Sequence, residues 1–424
     1  MTHRPTLLAV TSELPWPLAS GGHLRTYHLL ASLARRFDVR LVVPSSADEA
    51  GGRAALARAG IFVRAVPIGS RHALGEGWRI AEAAVRRDPY VLYGRHRRRA
   101  VRRALRDEAT AAPPDVLYLD HLDSYLYAGI APGAPVVIDM HNVYSTLAAR
   151  AGCEATGAAR RWYLRAEAAL LQRKETAAAR SAHTVFSCSD EEAGYFRTRG
   201  ASRVAVVPNG VDTQAYPWPP ARMASAPTVL SVLFIGALDW TPNVSAARFL
   251  AEQVMPAVRA RVPGATLAIV GRRPTAEVLA LADPGRVEIA ADVPDVRPYW
   301  QRASLLAVPL EAGGGTRIKI VEAFAAGVPV VSSPIGCEGI AGRDGEHLLI
   351  APRDAFADAV TAVLTDPGAA AARAGAARQL AERHYDWWAI GARAAEHALA
   401  AASDRRVRGV PAAAARIQAE VTAR

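Results

Sequence analysis

An α/β chain built from two doubly wound parallel sheets is what this sequence predicts, and three observations carry the prediction. Short, near-continuous apolar runs alternate with helical periodicity along almost all of the 424 residues. The alternation restarts after "YPWPPARMASAP" at 216–227, a stretch rich in proline and small residues that reads as a linker. Hydrophobic residues make up 51% of the chain, enough for two or three domains, each of about 100–200 residues with its own core.

Taken in order, the first domain (1–215) opens with the strand "TLLAVTS" and the helix "GGHLRTYHLLASLARRF". The strand "DVRLVVP", the helix "AALARAG" and the strand "IFVRAVPI" follow. A basic helical region precedes "VLYLD" and "PVVIDMH". One long helical stretch then runs from about Tyr144 to Ser181, before "HTVFSCS", a short helix and "RVAVVPN". The second domain (228–385) repeats the scheme with "LSVLFIG", "TLAIVG", "RVEIA", "LLAVPL" and "VPVVSS". These two Rossmann-like domains are expected to face each other across a cleft.

Several classes are set aside by composition. The longest apolar run, "VLSVLFIGAL" at 229–238, is half a membrane span and reads as a buried strand. The apolar run near the N-terminus is too short for a signal peptide and is soon broken by prolines. Cys153, Cys188 and Cys337 are widely spaced with no C-x-x-C, which argues against a disulfide framework or a zinc site and for a reducing cytoplasm. No G-x-G-x-x-G follows either domain's first strand, so a dinucleotide enzyme is not expected.

The net charge is +11, and of 51 basic residues only Lys174 and Lys319 are lysines, which leaves 49 arginines. Against that background a lysine hints at a place where a point charge is wanted instead of a guanidinium fork.

In such sheets ligands sit at the carboxyl ends of the strands. The segments there are "SELPWPLASGG", "HNV", "PNGVD", "GALDWTPN", "GRRP" and "LEAGGGTRIK", each rich in glycine or proline with a few polar groups. The last of these is odd. Thr316 is placed to cap the helix, Ile318, Ile320, Val321, Ala323 and Phe324 give it an apolar face, and Gly327 ends it. Yet the first turn holds Arg317 and Lys319, where the helix dipole is already positive and favours Asp or Glu.

The blocks "VPNGVD", "FIGALDWTPNVSAARFL", "LAIVGRRP", "VPLEAGGGTRIKIVEAFAAGVPVVSSPIGCEGI" and "DGEHLLIAPRD" resemble, in order and spacing, the retaining nucleotide-sugar-dependent glycosyltransferases of the GT-B fold (glycosyl transferases group 1). The resemblance covers nearly the whole chain and is strongest from Val206 to Pro352. It implies transfer of a sugar from an NDP-sugar, with UDP or GDP as the nucleotide, to a hydroxyl acceptor with retention. It further implies a front-face mechanism with neither an enzymic covalent intermediate nor an obligatory metal. The nucleotide-sugar is then a substrate and no cofactor is expected. A C-terminal helix at 386–402 is expected to pack back on the first domain, ahead of a charged tail at 403–424.

The resemblance places the donor against Gly22, Gly236, Asn243, Gly271, Val293, Gly314, Gly315, Thr316, Arg317, Lys319 and Glu322. Glu322 matches the second glutamate of the usual two-glutamate signature, which grips the ribose. Gly314 stands where the first glutamate normally is, and "GALDWTPN" lacks the usual diphosphate-binding arginine and lysine. This chain looks like a variant that has moved its cations to the helix start, where a diphosphate supplies the negative charge the dipole expects. His141, Arg317 and Lys319 are the catalytic candidates, with His121 a weaker one; Gly21, Arg25 and His28 are assigned to the acceptor side.

The plain alternatives are a satisfied core histidine at 141 and a simple Lys319–Glu322 pair along the helix. For the whole chain they are an epimerase of the same fold, or a nucleotide-sugar-binding subunit without activity, made credible by the lost glutamate. The arginine run at 86–108 is either a solvated helix or, as in related enzymes, a surface for anionic membranes or lipid-linked acceptors on the inner face of the cell membrane. Nucleic acid is not expected, because no aromatic stacking surface accompanies the charge.

Overall fold

The computed structural model describes residues 4–18, 20–46, 49–67, 73–218, 230–312 and 317–408. It divides into two compact units, 1–208 with 390–424, and 209–389.

The first unit holds a seven-stranded sheet of β1 (Thr6–Val10), β2 (Asp38–Ser45), β3 (Phe62–Pro67), β4 (Val116–Asp120), β5 (Val136–Met140), β6 (Thr184–Ser187) and β7 (Val204–Val206). Every pairing is parallel and the order is β3-β2-β1-β4-β5-β6-β7. Helices cover such sheets on both faces, so both sides of each strand must be apolar. "TLLAV" and "VLYLD" satisfy this: Leu7, Leu8, Leu117 and Leu119 are fully buried. Chain order reverses between β1 and β4, which opens a crevice at the strand ends there.

The second unit repeats the plan with six parallel strands: β8 (Ser231–Ala237), β9 (Thr266–Arg272), β10 (Val287–Ala291), β11 (Leu305–Val308), β12 (Val330–Ser332) and β13 (Leu349–Ile350). Their order is β10-β9-β8-β11-β12-β13, with the reversal between β8 and β11. The two domains together form a GT-B fold.

Several sequence expectations shift. The stretch from Tyr144 to Ser181 is two helices, Tyr144–Glu154 and Ala158–Ser181; the first ends where Ala155 turns extended, and the second starts after Gly157, whose φ of +95° suits glycine. The arginine run is not one helix. The helix Ala73–Arg86 ends, Tyr90–Gly94 form a wide turn, and a new helix runs Arg99–Ala111. The break falls at Arg87, whose φ is +52°, and Pro89, and Asp88 between them draws Arg97 (2.6 Å) and Lys174 (2.5 Å) onto the turn.

The unit boundary falls at 208–209, upstream of the proline-rich stretch. Residues from Asn209 pack with the second unit, where Val211 bridges to Asp386 and Arg378 donates to the Thr213 and Tyr216 carbonyls. Residues 219–227 of the linker and 409–424 of the tail lie outside the described residues. The final helix, Trp387–Arg408, belongs to the first unit from Ile390 onward. Asp404 accepts there from Arg203 (2.5 Å) and lies 3.1 Å from His183 Nε2, and Gly391 leaves room for Ser32.

Candidate functional site

Each unit carries a cluster of polar side chains at its strand ends. In the second unit it is built on the helix Ile318–Ala325, whose apolar face (Ile320, Val321, Ala323, Phe324) is buried in the core. The capping position is Arg317, 6% exposed, with no side-chain cap bond. Thr316, Gly314 and Gly315 lie outside the described residues. Gly327 follows the helix at a φ of +63°, the left-handed turn that glycine takes at little cost.

Lys319 is half-buried. Its Nζ donates to Asn243 Oδ1 at 3.2 Å and sits 4.7 Å from the centre of the Phe234 ring. Asn243 is itself 4% exposed and donates from Nδ2 to the Ala237 carbonyl at 2.9 Å, which fixes the amide so that its oxygen faces the lysine. Glycine makes this possible. A Cβ on Gly236 would lie 2.6 Å from the Asn243 amide nitrogen, and one on Gly271 would collide with the Gly236 carbonyl. Gly271 is buried in its pairing with Gly236, so it serves strand packing and is not a ligand surface, a correction to the donor-contact expectation. Val293 is half-buried against the same core.

Glu322, one turn on, is half-buried, and its carboxylate makes no hydrogen bond or ion pair among the described residues. The simple Lys319–Glu322 pair is therefore absent. Burial pushes the Glu322 carboxyl up to about 7, against the opposing pull of Lys319. Burial also pushes the Lys319 ammonium down to about 7, aided by Arg317 and opposed by Glu322. Two groups of opposite sign are each held away from their charged form by burial.

In the first unit, β4 and β5 end on Asp120-His121 and Asp139-Met140-His141. His141 is 9% exposed, and its Nε2 lies 3.1 Å from Asp120 Oδ1 and 3.4 Å from Asp139 Oδ2. Burial disfavours its charge, but the two carboxylates outweigh burial and raise the imidazole to about 9. Asp139 is fully buried. Its desolvation is overcome by Arg25 and His141, which hold it well below the usual carboxylate range. The three potential metal-ligating atoms of Asp120, Asp139 and His141 lie within 4.8 Å of one another. Protein groups already hold both acids: Arg25 grips Asp139 through Nε and Nη2, and the Thr26 hydroxyl lies 3.1 Å from both Asp120 oxygens.

Arg25 is a second correction. At 1% exposure, bonded to Asp139 and the Val207 carbonyl, it supports the cluster from below and cannot meet an acceptor. Gly21 and Gly22 lie in the first turn of the helix Gly21–Leu33, capped by Ser20, and a Cβ on Gly22 would stand 3.9 Å from His141 Nδ1. His28 lies farther along the same helix, edge-on to Tyr27. His121 packs edge-on against His141 with ring centres 4.9 Å apart and contacts the Tyr144 hydroxyl. Its φ of +75° is unusual for a residue with a side chain and is held by a backbone bond from its N–H to the Asp139 carbonyl.

Sequence reasoning missed Asp120 and Asp139. A signal existed: two adjacent apolar strands each end in an aspartate followed within two residues by a histidine.

Residues 230–366 match the family described as glycosyl transferases group 1, and residues 20–210 match the glycosyl transferase 4-like domain. A glycogen synthase of Mycobacterium tuberculosis is 31% identical over 218 residues, 49% of this chain and 51% of that one. A GDP-mannose-dependent phosphatidylinositol monomannoside mannosyltransferase of Mycolicibacterium smegmatis is 33% identical over 160 residues, 34% and 42% of the two chains. The chain thus spans about half the length of the curated relatives it matches. The structure of Anabaena Alr3699/HepE with UDP and glucose superposes with a TM-score of 0.64 at 16% identity, covering 93% of this chain and 99% of that one.

Proposed function

Because this chain belongs to the group 1 family of GT-B glycosyltransferases, we propose that it moves a sugar from a nucleoside-diphosphate sugar to a hydroxyl acceptor with retention at the anomeric carbon. The observation that carries the reading is the state of Lys319 and Glu322. A half-buried ammonium with no carboxylate partner stands one turn from a half-buried carboxylate with no hydrogen bond, both at the switch point of the second sheet.

A nucleotide diphosphate satisfies both. Its phosphates supply the anion that favours charged Lys319 and that Arg317 and the open amides of the helix can share. Its ribose hydroxyls donate to Glu322 and favour the carboxylate. In the transfer step the bond from the sugar carbon to the diphosphate oxygen breaks and a bond to the acceptor oxygen forms on the same face. The acceptor's proton passes to the departing phosphate oxygen. Charge accumulates on the diphosphate, and Lys319 and Arg317 act as preorganised donors toward it. His141, kept protonated by Asp120 and Asp139, is assigned to the sugar.

Relatives and neighbours bearing GDP-mannose, UDP and glucose in their descriptions support a nucleotide-sugar donor. The lipid acceptor of the mannosyltransferase, with the basic 86–106 region here, supports a lipid-linked acceptor at an anionic membrane and a peripheral cytoplasmic position. No described helix is long and apolar enough to cross a membrane.

The test is a thermal-shift screen with UDP, GDP and their sugars, followed by product analysis with the best donor. A specific nucleotide raises Tm as RT ln(1 + [L]/Kd) predicts, and the product anomer matches the donor. An inverted product, or no stabilisation by any nucleotide, overturns the reading.

A further inference from the structure

The chain leaves β4 through His121 in its left-handed turn and continues as the tight helix Leu122–Ile130. Asp123, in the first turn of that helix, is 1% exposed. A carboxylate sealed this deeply normally meets an arginine, a lysine or several backbone amides. The ion-pair partners of Asp123 are two imidazoles. His121 Nδ1 lies 3.6 Å from its Oδ1, and His96 Nδ1 lies 3.7 Å from its Oδ2. His96 Nδ1, His121 Nδ1 and Asp123 Oδ2 are all buried, and none of them has a hydrogen-bond partner among the described residues. Burial opposes the charge on Asp123, but His121 and His96 outweigh it and hold the carboxyl below its ordinary value.

The backbone on either side of this bridge is pinned. The Tyr127 hydroxyl donates to the His96 carbonyl at 3.1 Å and accepts from the Arg98 amide at 3.3 Å. The Tyr93 hydroxyl donates to the Leu122 carbonyl at 3.2 Å. A ring nitrogen that faces a buried carboxylate must carry a proton, because a lone pair there would meet a second lone pair in a medium of low dielectric. In the neutral ring of His121, Nδ1 is then the donor and Nε2 the acceptor. The far side of the ring agrees, since Nε2 meets the Tyr144 hydroxyl, which can donate to it. The ring so held packs edge-on against His141, with centres 4.9 Å apart. His141 keeps Nε2 on Asp120, and its Nδ1 faces the first turn of the helix Gly21–Leu33, 3.9 Å from where a Cβ on Gly22 would stand.

We propose that Asp123 is a positioning residue for the transfer reaction. By accepting from Nδ1 of His121 it sets that ring's tautomer and plane, and through the edge-on contact it fixes the angle at which His141 presents Nδ1 to the sugar. His96 takes the second oxygen of the same carboxylate. The role toward the sugar rests on the transfer reading, whereas the bridge itself stands without it.

The experiment reads the ring and the reaction separately. In the full chain carrying isotope-labelled histidine, long-range nitrogen–proton NMR correlations report each ring's tautomer at about pH 8, where an ordinary imidazole is neutral. His121→Gln assigns the His121 signals, which should show the Nδ1–H tautomer. Asp123→Leu removes both acceptor oxygens at similar volume, and His121 should lose that preference. In the same variant kcat should fall by about tenfold or more while UDP binding stays unchanged. Adding Asp123→Leu to His121→Gln should cost no more than His121→Gln alone, because the acid acts through that ring. Asp123→Asn is the second variant, should Asp123→Leu fail to fold. Its amide can accept from only one of the two rings and offers N–H to the other, so one ring changes tautomer and kcat should follow the His121 signal. An Nε2–H ring at His121 in the wild type overturns the proposal. So does a loss of kcat in either variant with the His121 signal unchanged, full kcat with that signal changed, or additive losses in the double variant. If the wild type transfers no sugar from any nucleotide-sugar, the transfer reading falls instead, and the His121 tautomer still tests the bridge.

Discussion

Lys319 Nζ rests 3.2 Å from the side-chain oxygen of Asn243, held by a neutral dipole and not by a carboxylate. Asn243 cannot turn away, because its own nitrogen is bound to the Ala237 carbonyl. The other lysine of the chain is built differently: Lys174 pairs with Asp88 while also lying 5.0 Å from the Tyr93 ring centre. Of the two lysines, Lys319 is the one without a carboxylate partner within ion-pair distance among the described residues.

Lys319→Met keeps the stem over Phe234 and removes the charge. A folded-state pKa lowered to about 7 means that holding this ammonium costs stability below the unfolded value. The apo Tm at pH 7 to 8 is therefore expected to be unchanged or higher. Turnover should fall by about 10²–10³-fold in kcat/KM, as removal of one donor to a developing anion does. Wild-type kcat/KM in this variant would remove Lys319 from the chemistry.

Glu322→Ala loses no side-chain hydrogen bond among the described residues, so the fold should survive. Nucleotide affinity is expected to drop about ten- to a hundredfold, the worth of a charge-assisted bond to ribose. Calorimetry with UDP and GDP measures this directly, and an unaltered Kd would exclude the ribose role.

Binding should move protons. At pH 8 a lysine with its pKa near 7 is mostly neutral and must take up a proton beside a diphosphate. At pH 6 a carboxyl raised to about 7 is mostly protonated and must release one to accept hydroxyls. Titration of UDP in two buffers of different ionisation enthalpy should show net uptake at pH 8 and net release at pH 6. Uptake at pH 8 should vanish in Lys319→Met, and an unchanged buffer dependence there would assign it to another group.

His141 gives the opposite sign from the lysine. Its folded value of about 9 lies above the unfolded one, so its contribution to stability is complete below about 6.5 and lost as pH rises through 9. The stability gap between wild type and His141→Gln, from urea unfolding, should shrink across that window. The variant should also lower kcat by about a hundredfold with little effect on UDP binding. Turnover that is intact per folded molecule would return His141 to a purely structural place.

On the helix Arg99–Ala111, Val101, Ala104 and Leu105 are buried while Arg103 and Arg106 face solvent. If this face meets an anionic membrane, the protein co-sediments with anionic vesicles at low salt and leaves as salt rises, since exposed charges are screened within about 8–10 Å. Arg103→Glu with Arg106→Glu should abolish sedimentation. Equal sedimentation of that variant would place the contact elsewhere.

Sequence by itself determined the strands and their parallel order of burial, because both faces of "TLLAV" or "LSVLFIG" are apolar and only a covered parallel sheet accepts such runs. It also marked the helix at 318–325 and the anomalous cations at its start. Those signals are local, carried by neighbours in the chain. Tertiary structure alone decided what each polar side chain touches. Arg25 looked available for an acceptor until a partner 114 residues away, Asp139, was seen to bury it. Lys319 and Glu322, three residues apart, had a simple pair as their plain alternative until Asn243, 76 residues away, was seen to hold the lysine. Gly271 looked like ligand surface until β8 was laid against it. The spacing of a motif gives side chains a shared face, but desolvation and partners come from strands that the register brings together. The charge state of a buried group is set there.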